Sequence, residues 1–141
     1  MQIQVKLLNE NCKPYRKYDN DAGFDLRANL EKPVMIAPGE HAKIGTGVCI
    51  EIPPGYYGDI RGRSGLTAKG VICPGGTVDS GYTGQIYVVL VNVGRMRYMV
   101  EPGERIAQLI IAPLPKVELV EVDELRGGER GDRGFGSTGR V

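Results

Sequence analysis

The stretch "DSGYTGQIYVVLVNVGRMRYMVEPGERIAQLII", residues 79–111, decides the fold class. Val, Ile and Tyr crowd into the runs "QIYVVLVNVG" (85–94), "RMRYMV" (95–100) and "RIAQLII" (105–111), each short enough for a strand. Between and before them, "DSGYTG" and "EPGE" are turn formers. Working outward, the same habit continues in both directions. "QIQVKLL" puts Ile3, Val5 and Leu7 on one face, and "FDLRANL" does so with Phe24, Leu26, Ala28 and Leu30. "KIGTGVCIEI" and "KVELVEV" extend the pattern, with "APGE", "PPG" and "CPGG" as further punctuation. Many short strands broken by Gly and Pro predict an all-β sandwich, jelly roll or barrel. Only "SGLTAKG" offers a short helical turn, with Ser64 as its expected N-cap.

The chain has 141 residues, the size of one domain that buries a core without metal or disulfides. Composition shifts after "VELVEVDEL", where "RGGERGDRGFGSTGRV" loses its apolar alternation. This divides a β domain, residues 1–125, from a glycine-rich arm, residues 126–141. Such an arm cannot order itself by burying apolar surface, so it needs a ligand or a neighbour.

A formal net charge of +1 argues against a broad nucleic-acid surface and for a small partner. Cys12, Cys49 and Cys73 form no CxxC pair, and an odd count leaves one unpaired, so an intracellular, reducing, cytoplasmic setting is expected; nuclear and viral settings stay open. No apolar run reaches the roughly 20 residues of a membrane helix, and the N-terminus lacks a secretory apolar core, so a soluble, unprocessed chain without a membrane partner is expected. His41 is the only histidine, a surface turn residue in "PGEHAK", which excludes a multi-histidine metal site and disfavours a serine–histidine triad. Hydrolytic chemistry would lean on carboxylates, backbone amides or a borrowed cation.

Five segments place polar residues where a sandwich has no need of them. In "DAGFDLRA", Asp25 lies between Phe24 and Leu26 and points away from their face, as an outward strand residue or as a site carboxylate. "RGRSGL" joins guanidinium groups to a hydroxyl and a free amide at the start of a helical turn: a phosphate grip, or a capped turn with solvated arginines. "GGTVDSGYTGQI" reads as a hairpin with Asp79 and Tyr82 near its bend. Its backbone edge can recognise a base while the tyrosine forms a flat wall, or Asp79 and Tyr82 simply turn and pack. In "PGERIAQLI", Gln108 interrupts an apolar run, at a sheet edge or against a ligand. "RGDRGFGSTGR" is either a solvated tail or a flap whose Arg130, Ser137, Thr138 and glycine amides surround phosphate while Phe135 covers something flat.

Taken together, "DAGFDLRA", "GRSGL", "GGTVDSGYTG", "GERIAQLI" and "RGDRGFGSTG" resemble the five ordered motifs of the trimeric dUTPases, from about Asp21 to Gly139. One motif alone is a weak signal; five in order with compatible spacing are specific. The resemblance implies a distorted jelly-roll (β-clip) domain in a homotrimer with shared active sites at subunit interfaces. It also implies hydrolysis of dUTP to dUMP and pyrophosphate with Mg2+, by water attack on the α-phosphorus, which limits uracil in DNA and supplies dUMP for thymidylate synthesis.

Residue by residue, the resemblance gives Asp79 the sugar 3′-OH and the attacking water, and Gln108 a place near that water and the α-phosphate. Tyr82 would pack under the deoxyribose. Gly76, Thr77 and Val78, with Tyr87 beyond, would form the uracil pocket, whose backbone groups mimic a pairing partner and leave cytosine unpaired. Arg63, Ser64 and Gly65 would hold phosphate. Asp25 would touch Mg2+ through water, the metal being chelated by the triphosphate. In the arm, Arg130 would bind phosphate, Phe135 would stack on uracil, and Gly136, Ser137 and Thr138 would form the γ-phosphate loop.

Three positions depart from the family pattern: Cys73 replaces an asparagine near the base, Gly81 a frequent acidic residue, and Arg133 a usual glycine. The nearest rival, dCTP deaminase, shares the fold but carries a catalytic glutamate where this chain has Val89, and valine cannot shuttle a proton. A third reading is a dUTP-sensing module that signals to a protein partner without needing turnover; retention of Asp79 favours the enzyme.

Overall fold

The computed structural model describes residues 1–141. Ten strands alternate with turns: β1 (Gln4–Leu7), β2 (Phe24–Arg27), β3 (Val34–Ile36), β4 (His41–Glu51), β5 (Tyr56–Arg61), β6 (Val71–Ile72), β7 (Gly76–Val78), β8 (Gln85–Asn92), β9 (Tyr98–Val100) and β10 (Arg105–Pro113). The one α-helical turn, α1, spans Ser64–Thr67, and a 3-10 turn covers Glu10–Cys12. One antiparallel sheet runs β1-β4-β8-β6, a second β2-β10-β5-β7, and β3 pairs with β9. No helix is long and apolar enough to cross a membrane.

The two larger sheets share one apolar core. On β8, Ile86, Val88 and Leu90 turn inward while Tyr87 and Val89 face out, as a period of two requires. Ile44, Val48 and Ile50 of β4 join them, and Leu26, Ile60, Ile106 and Leu109 come from the other sheet. On β10 the alternation breaks at a register shift between Arg105 and Ala107, which buries both Ile106 and Ala107. Beyond it Leu109 is buried and Gln108 turns the other way.

Four strand assignments shift from the sequence reading. The 116–122 stretch is not a strand: Val117, Leu119, Val120 and Val122 are exposed and have no strand of this chain beside them. Strand β2 ends at Arg27 rather than Leu30. Residues 95–97 stay outside β9, because the Asn92 side chain donates to the Met96 carbonyl and accepts from the Gly94 amide, closing a turn there. The 75–86 segment is not a ladder-paired hairpin. Strand β7 pairs with Gly58–Ile60 of β5, whereas β8 pairs with β4 and β6, so the two arms enter different sheets. The far edge of β7 therefore remains unpaired.

Candidate active site

The bend between the sheets carries Asp79 and Tyr82. The Tyr82 amide closes it on the Asp79 carbonyl at 3.1 Å, and the Ser80 hydroxyl ties it to the Ile52 carbonyl at 3.0 Å. Gly81 has φ +89, a conformation that costs an ordinary side chain on the order of 1–2 kcal/mol; its glycine thus suits the turn as built here. The Tyr82 hydroxyl donates to the Gln85 carbonyl at 2.7 Å. A Cβ on Gly84 would lie 2.8 Å from that hydroxyl oxygen, so glycine makes room for the ring.

Gly76, Thr77, Val78, Asp79, Tyr82 and Tyr87 line one cleft of about 320 Å³. Asp79 is exposed, and its carboxylate makes no bond within the chain. Lys43, which the motif reading did not single out, enters the same cleft with its ammonium 4.5 Å from the Tyr87 ring centre. Its signal in the sequence was only that of a polar position in an alternating strand.

A larger cavity, about 1010 Å³, opens beside this cleft and shares Gly76 and Thr77 with it. Ser64 and Gln108 lie on its wall, as does Cys73. Burial pushes the Cys73 thiol up, against a partial lowering by the Gly75 amide. It is a neutral thiol at neutral pH, which leaves it a poor nucleophile.

Arg63 occupies the cap position of α1 and makes no side-chain cap bond; Ser64, expected as the cap, is instead the first helical residue. The Arg63 carbonyl accepts from the amides of Leu66 and Thr67 and from the Thr67 hydroxyl, which leaves the Ser64 hydroxyl exposed and unbonded within the chain. Gly65 is open to solvent, with nothing near an added Cβ. The first amides of such a turn have no partner within it. Gln108 sits opposite both Asp25 of β2 and Arg61 of β5, and its amide nitrogen donates to the Gly62 carbonyl at 3.0 Å.

Asp25 is far from idle. Its Oδ1 lies 3.2 Å from Arg63 Nε, its Oδ2 lies 3.1 Å from Arg105 Nη1, and its side chain is only 20% exposed. It faces a third cavity, about 350 Å³, which also holds Gln108, Arg105 and Asp21. No three His, Cys, Asp or Glu side chains gather into a metal cage. A carboxylate has about four acceptor positions, so one hydrogen bond from Arg105 and an ion pair with Arg63 leave Asp25 room for a metal-bound water. That donor set fits outer-sphere contact with a phosphate-held Mg2+, which keeps most of its waters.

The arm stands apart. Arg130, Phe135, Gly136, Ser137 and Thr138 are all exposed, and every hydrogen bond made by residues 126–141 stays within that stretch. Phe135 is the only non-glycine residue with positive φ, at 46. Arg133 donates to the carbonyls of Arg130 and Glu129, which accounts for one departure from the motif: it braces a turn of the arm. One chain thus brings together the cleft of Asp79 and Tyr82 and the turn of Arg63, Ser64 and Gly65, but it does not bring the arm to either.

A family model described as dUTPase matches residues 9–139. A deoxyuridine 5′-triphosphate nucleotidohydrolase of Clostridium tetani is 45% identical over 142 residues, covering 98% of this chain and 97% of its own. One from Anaeromyxobacter sp. is 47% identical over 145 residues, with 98% and 97% covered. Among solved structures, the Staphylococcus bacteriophage 80alpha dUTPase with dUPNHPP has a TM-score of 0.89 at 34% identity, over 99% of each chain. A mutant dUTPase from phage phi11 of S. aureus, described with a coordinated structural Mg(II) ion, has a TM-score of 0.81 at 29% identity, covering 90% of this chain and 100% of its own.

Proposed function

Because the chain belongs to the dUTPase family, we propose that its nucleoside cleft, its phosphate turn and its arm act on one molecule of dUTP. The protein is a dUTP diphosphatase: it hydrolyses dUTP to dUMP and pyrophosphate. The observation that carries the site assignment is the bend of residues 79–82, which sets a free carboxylate and an anchored tyrosine ring beside the unpaired backbone edge of β7.

In this reading uracil lies along Gly76, Thr77 and Val78. Backbone donors and acceptors there match one exocyclic pattern, and cytosine leaves buried polar groups unpaired. Tyr82 lies under the deoxyribose, with Tyr87 beyond. Asp79 holds the 3′-OH and orients or deprotonates the attacking water, within reach of the α-phosphorus. Ser64, the Gly65 amide and Gln108 take the α-phosphate region, and Arg63 adds positive charge. Mg2+ chelated by the triphosphate would neutralise charge on the leaving pyrophosphate, with Asp25 as its outer-sphere partner. Arg130, Gly136, Ser137 and Thr138 close over the phosphates, and Phe135 stacks on the base.

The same reading includes a homotrimer with shared sites. Two observations support it. The arm of this chain touches neither cleft, and Ile3, Val5, Leu7, Phe24 and Ile111 line an apolar groove of about 540 Å³ that the chain does not cover. Val117, Leu119, Val120 and Leu125 are exposed apolar residues able to cover such a groove on another copy. An intracellular, reducing setting is part of the proposal, in keeping with three free cysteines.

The decisive assay incubates the protein with Mg2+ and either dUTP or dCTP and follows pyrophosphate and ammonia. Pyrophosphate from dUTP alone is expected. Ammonia from dCTP would overturn the assignment, and dUTP binding without turnover would make the chain a sensor.

A further inference from the structure

Arg105 lies in the fourth motif but is not among the residues assigned above to substrate or metal. Its side chain donates from Nη1 to Asp25 Oδ2 at 3.1 Å, and its backbone carbonyl accepts from Arg63 Nη1, also at 3.1 Å. Arg63 Nε in turn lies 3.2 Å from Asp25 Oδ1. These three contacts close a ring that joins β2, β10 and the first residue before α1. The Arg105 guanidinium also lies 5.0 Å from the Tyr15 ring centre, and Tyr15 exchanges two backbone hydrogen bonds with Asp25. The ring is thus held on both sides.

We propose that Arg105 is a positioning residue for the phosphate turn, acting through Asp25 on Arg63. The Arg63 carbonyl anchors α1 by accepting from Leu66 and Thr67, so whatever fixes Arg63 fixes where the Ser64 hydroxyl and the Gly65 amide point. Gln108 grips the preceding carbonyl, that of Gly62, from the same strand as Arg105. Strand β10 therefore clamps the turn at two successive residues. The ring also sets charge. Two guanidiniums against one carboxylate leave a net positive charge beneath the phosphate site, and the two contacts fix where the Asp25 carboxylate points. Without Arg105, Asp25 would face Arg63 alone and the turn would lose its link to β10 through the carboxylate. A small displacement of a positioning group costs up to about a hundredfold in rate.

This rests on the dUTPase reading, and the test separates the two. Wild-type turnover of dUTP is measured first; its absence sinks the reading itself. The variants Arg105→Gln, Arg105→Lys, Asp25→Asn and the Arg105→Gln/Asp25→Asn pair are then compared by kcat, KM, binding of the imido analogue of dUTP, and binding of deoxyuridine. Arg105→Gln is expected to lower kcat/KM by roughly 30- to 100-fold and to weaken the imido analogue, with deoxyuridine binding unchanged because the nucleoside cleft lies outside the ring. Arg105→Lys, which keeps a donor for Asp25, is expected to recover most of the loss. The double variant should be no worse than the more damaged single one, since both break one ring. Wild-type kinetics in Arg105→Gln, failure of lysine to rescue, or fully additive losses would each overturn the proposal. Should Arg105→Gln fail to fold, Arg105→Met, which also removes the donor to Asp25, takes its place in every comparison, with the same results expected and the same results overturning the proposal.

Discussion

The phosphate turn and the glycine-rich arm are assigned to the same triphosphate, yet they are built in opposite ways. The turn is pinned by strands: Gln108 holds Gly62, and the Asp25–Arg63–Arg105 ring holds the residue before α1. The arm is pinned by nothing but its own short turns, and its one aromatic side chain is fully exposed. One region has its geometry before substrate arrives. The other must acquire it from substrate or a neighbouring chain, at an entropic cost that binding has to offset. A site made of both keeps its chemistry precise while leaving a way in and out.

The largest effect is expected on the prearranged side. Asp79→Asn keeps the size and polarity of the side chain but removes the carboxylate proposed to orient or deprotonate water. Turnover of dUTP should fall by roughly 10²–10⁴-fold, the usual worth of a positioned general base. Binding of the imido analogue should stay measurable by titration calorimetry. Full activity in the variant would remove Asp79 as the base and would mean that the fixed bend contributes only shape.

Truncation after Leu125 probes the other side. The arm shares no hydrogen bond with the strands, so its removal should leave the thermal midpoint within about 2 °C, as for a surface change. Catalysis should drop by one to two orders of magnitude, the scale attached to loops that complete and shield a site. A fully active truncated protein would restore the solvated-tail reading of residues 126–141. A large fall in midpoint would show that the arm carries stability, and the contrast between the two regions would collapse.

The same contrast explains what the sequence disclosed. Strand β8 was legible because it alternates long enough to state a period of two, and β4 and β10, whose alternation is broken by register shifts, were legible as Ile- and Val-bearing runs between turns that carry Gly and Pro. Strands β3, β6 and β7 have three residues or fewer, too short for any period to show; β5, "YYGDIR", interrupts its own alternation with Gly58. Gly58 is there because a Cβ would lie 2.8 Å from Leu109 and 3.0 Å from Val78, a packing reason that only the tertiary structure states. The 116–122 run shows the opposite error, since an apolar alternation does not by itself supply a strand of this chain to pair with. In the site, Asp79, Tyr82, Ser64 and Gln108 were legible as polar residues out of place. Arg105 was not, because its partners lie 42 and 80 residues away and no local spacing encodes the ring.

The smallest effect tests the support beneath that ring. Residues 101–104 lead into Arg105, and the Tyr98 hydroxyl bonds to the Glu104 carboxylate, whose other oxygen accepts from the Glu101 amide. Burial, then the bond to Glu104 and its negative charge, push the Tyr98 hydroxyl up to about 12 from an ordinary 10, with Arg63 pulling the other way. Below pH 10 the phenol is neutral folded or unfolded, and its contribution is complete. Between about 10 and 12 the unfolded chain ionises first, so stability is lost as pH rises through that window. Tyr98→Phe should cost about 1 kcal/mol at pH 8, from one lost hydrogen bond. Urea unfolding at pH 8 and pH 11 should show the deficit shrinking at the higher pH, because the wild type alone suffers the alkaline penalty there. A deficit of the same size at both would mean that Tyr98 only packs. If it shrinks as expected, the alkaline limb belongs to the strand frame, and the truncated chain, which keeps Tyr98 and Glu104, should show the same limb.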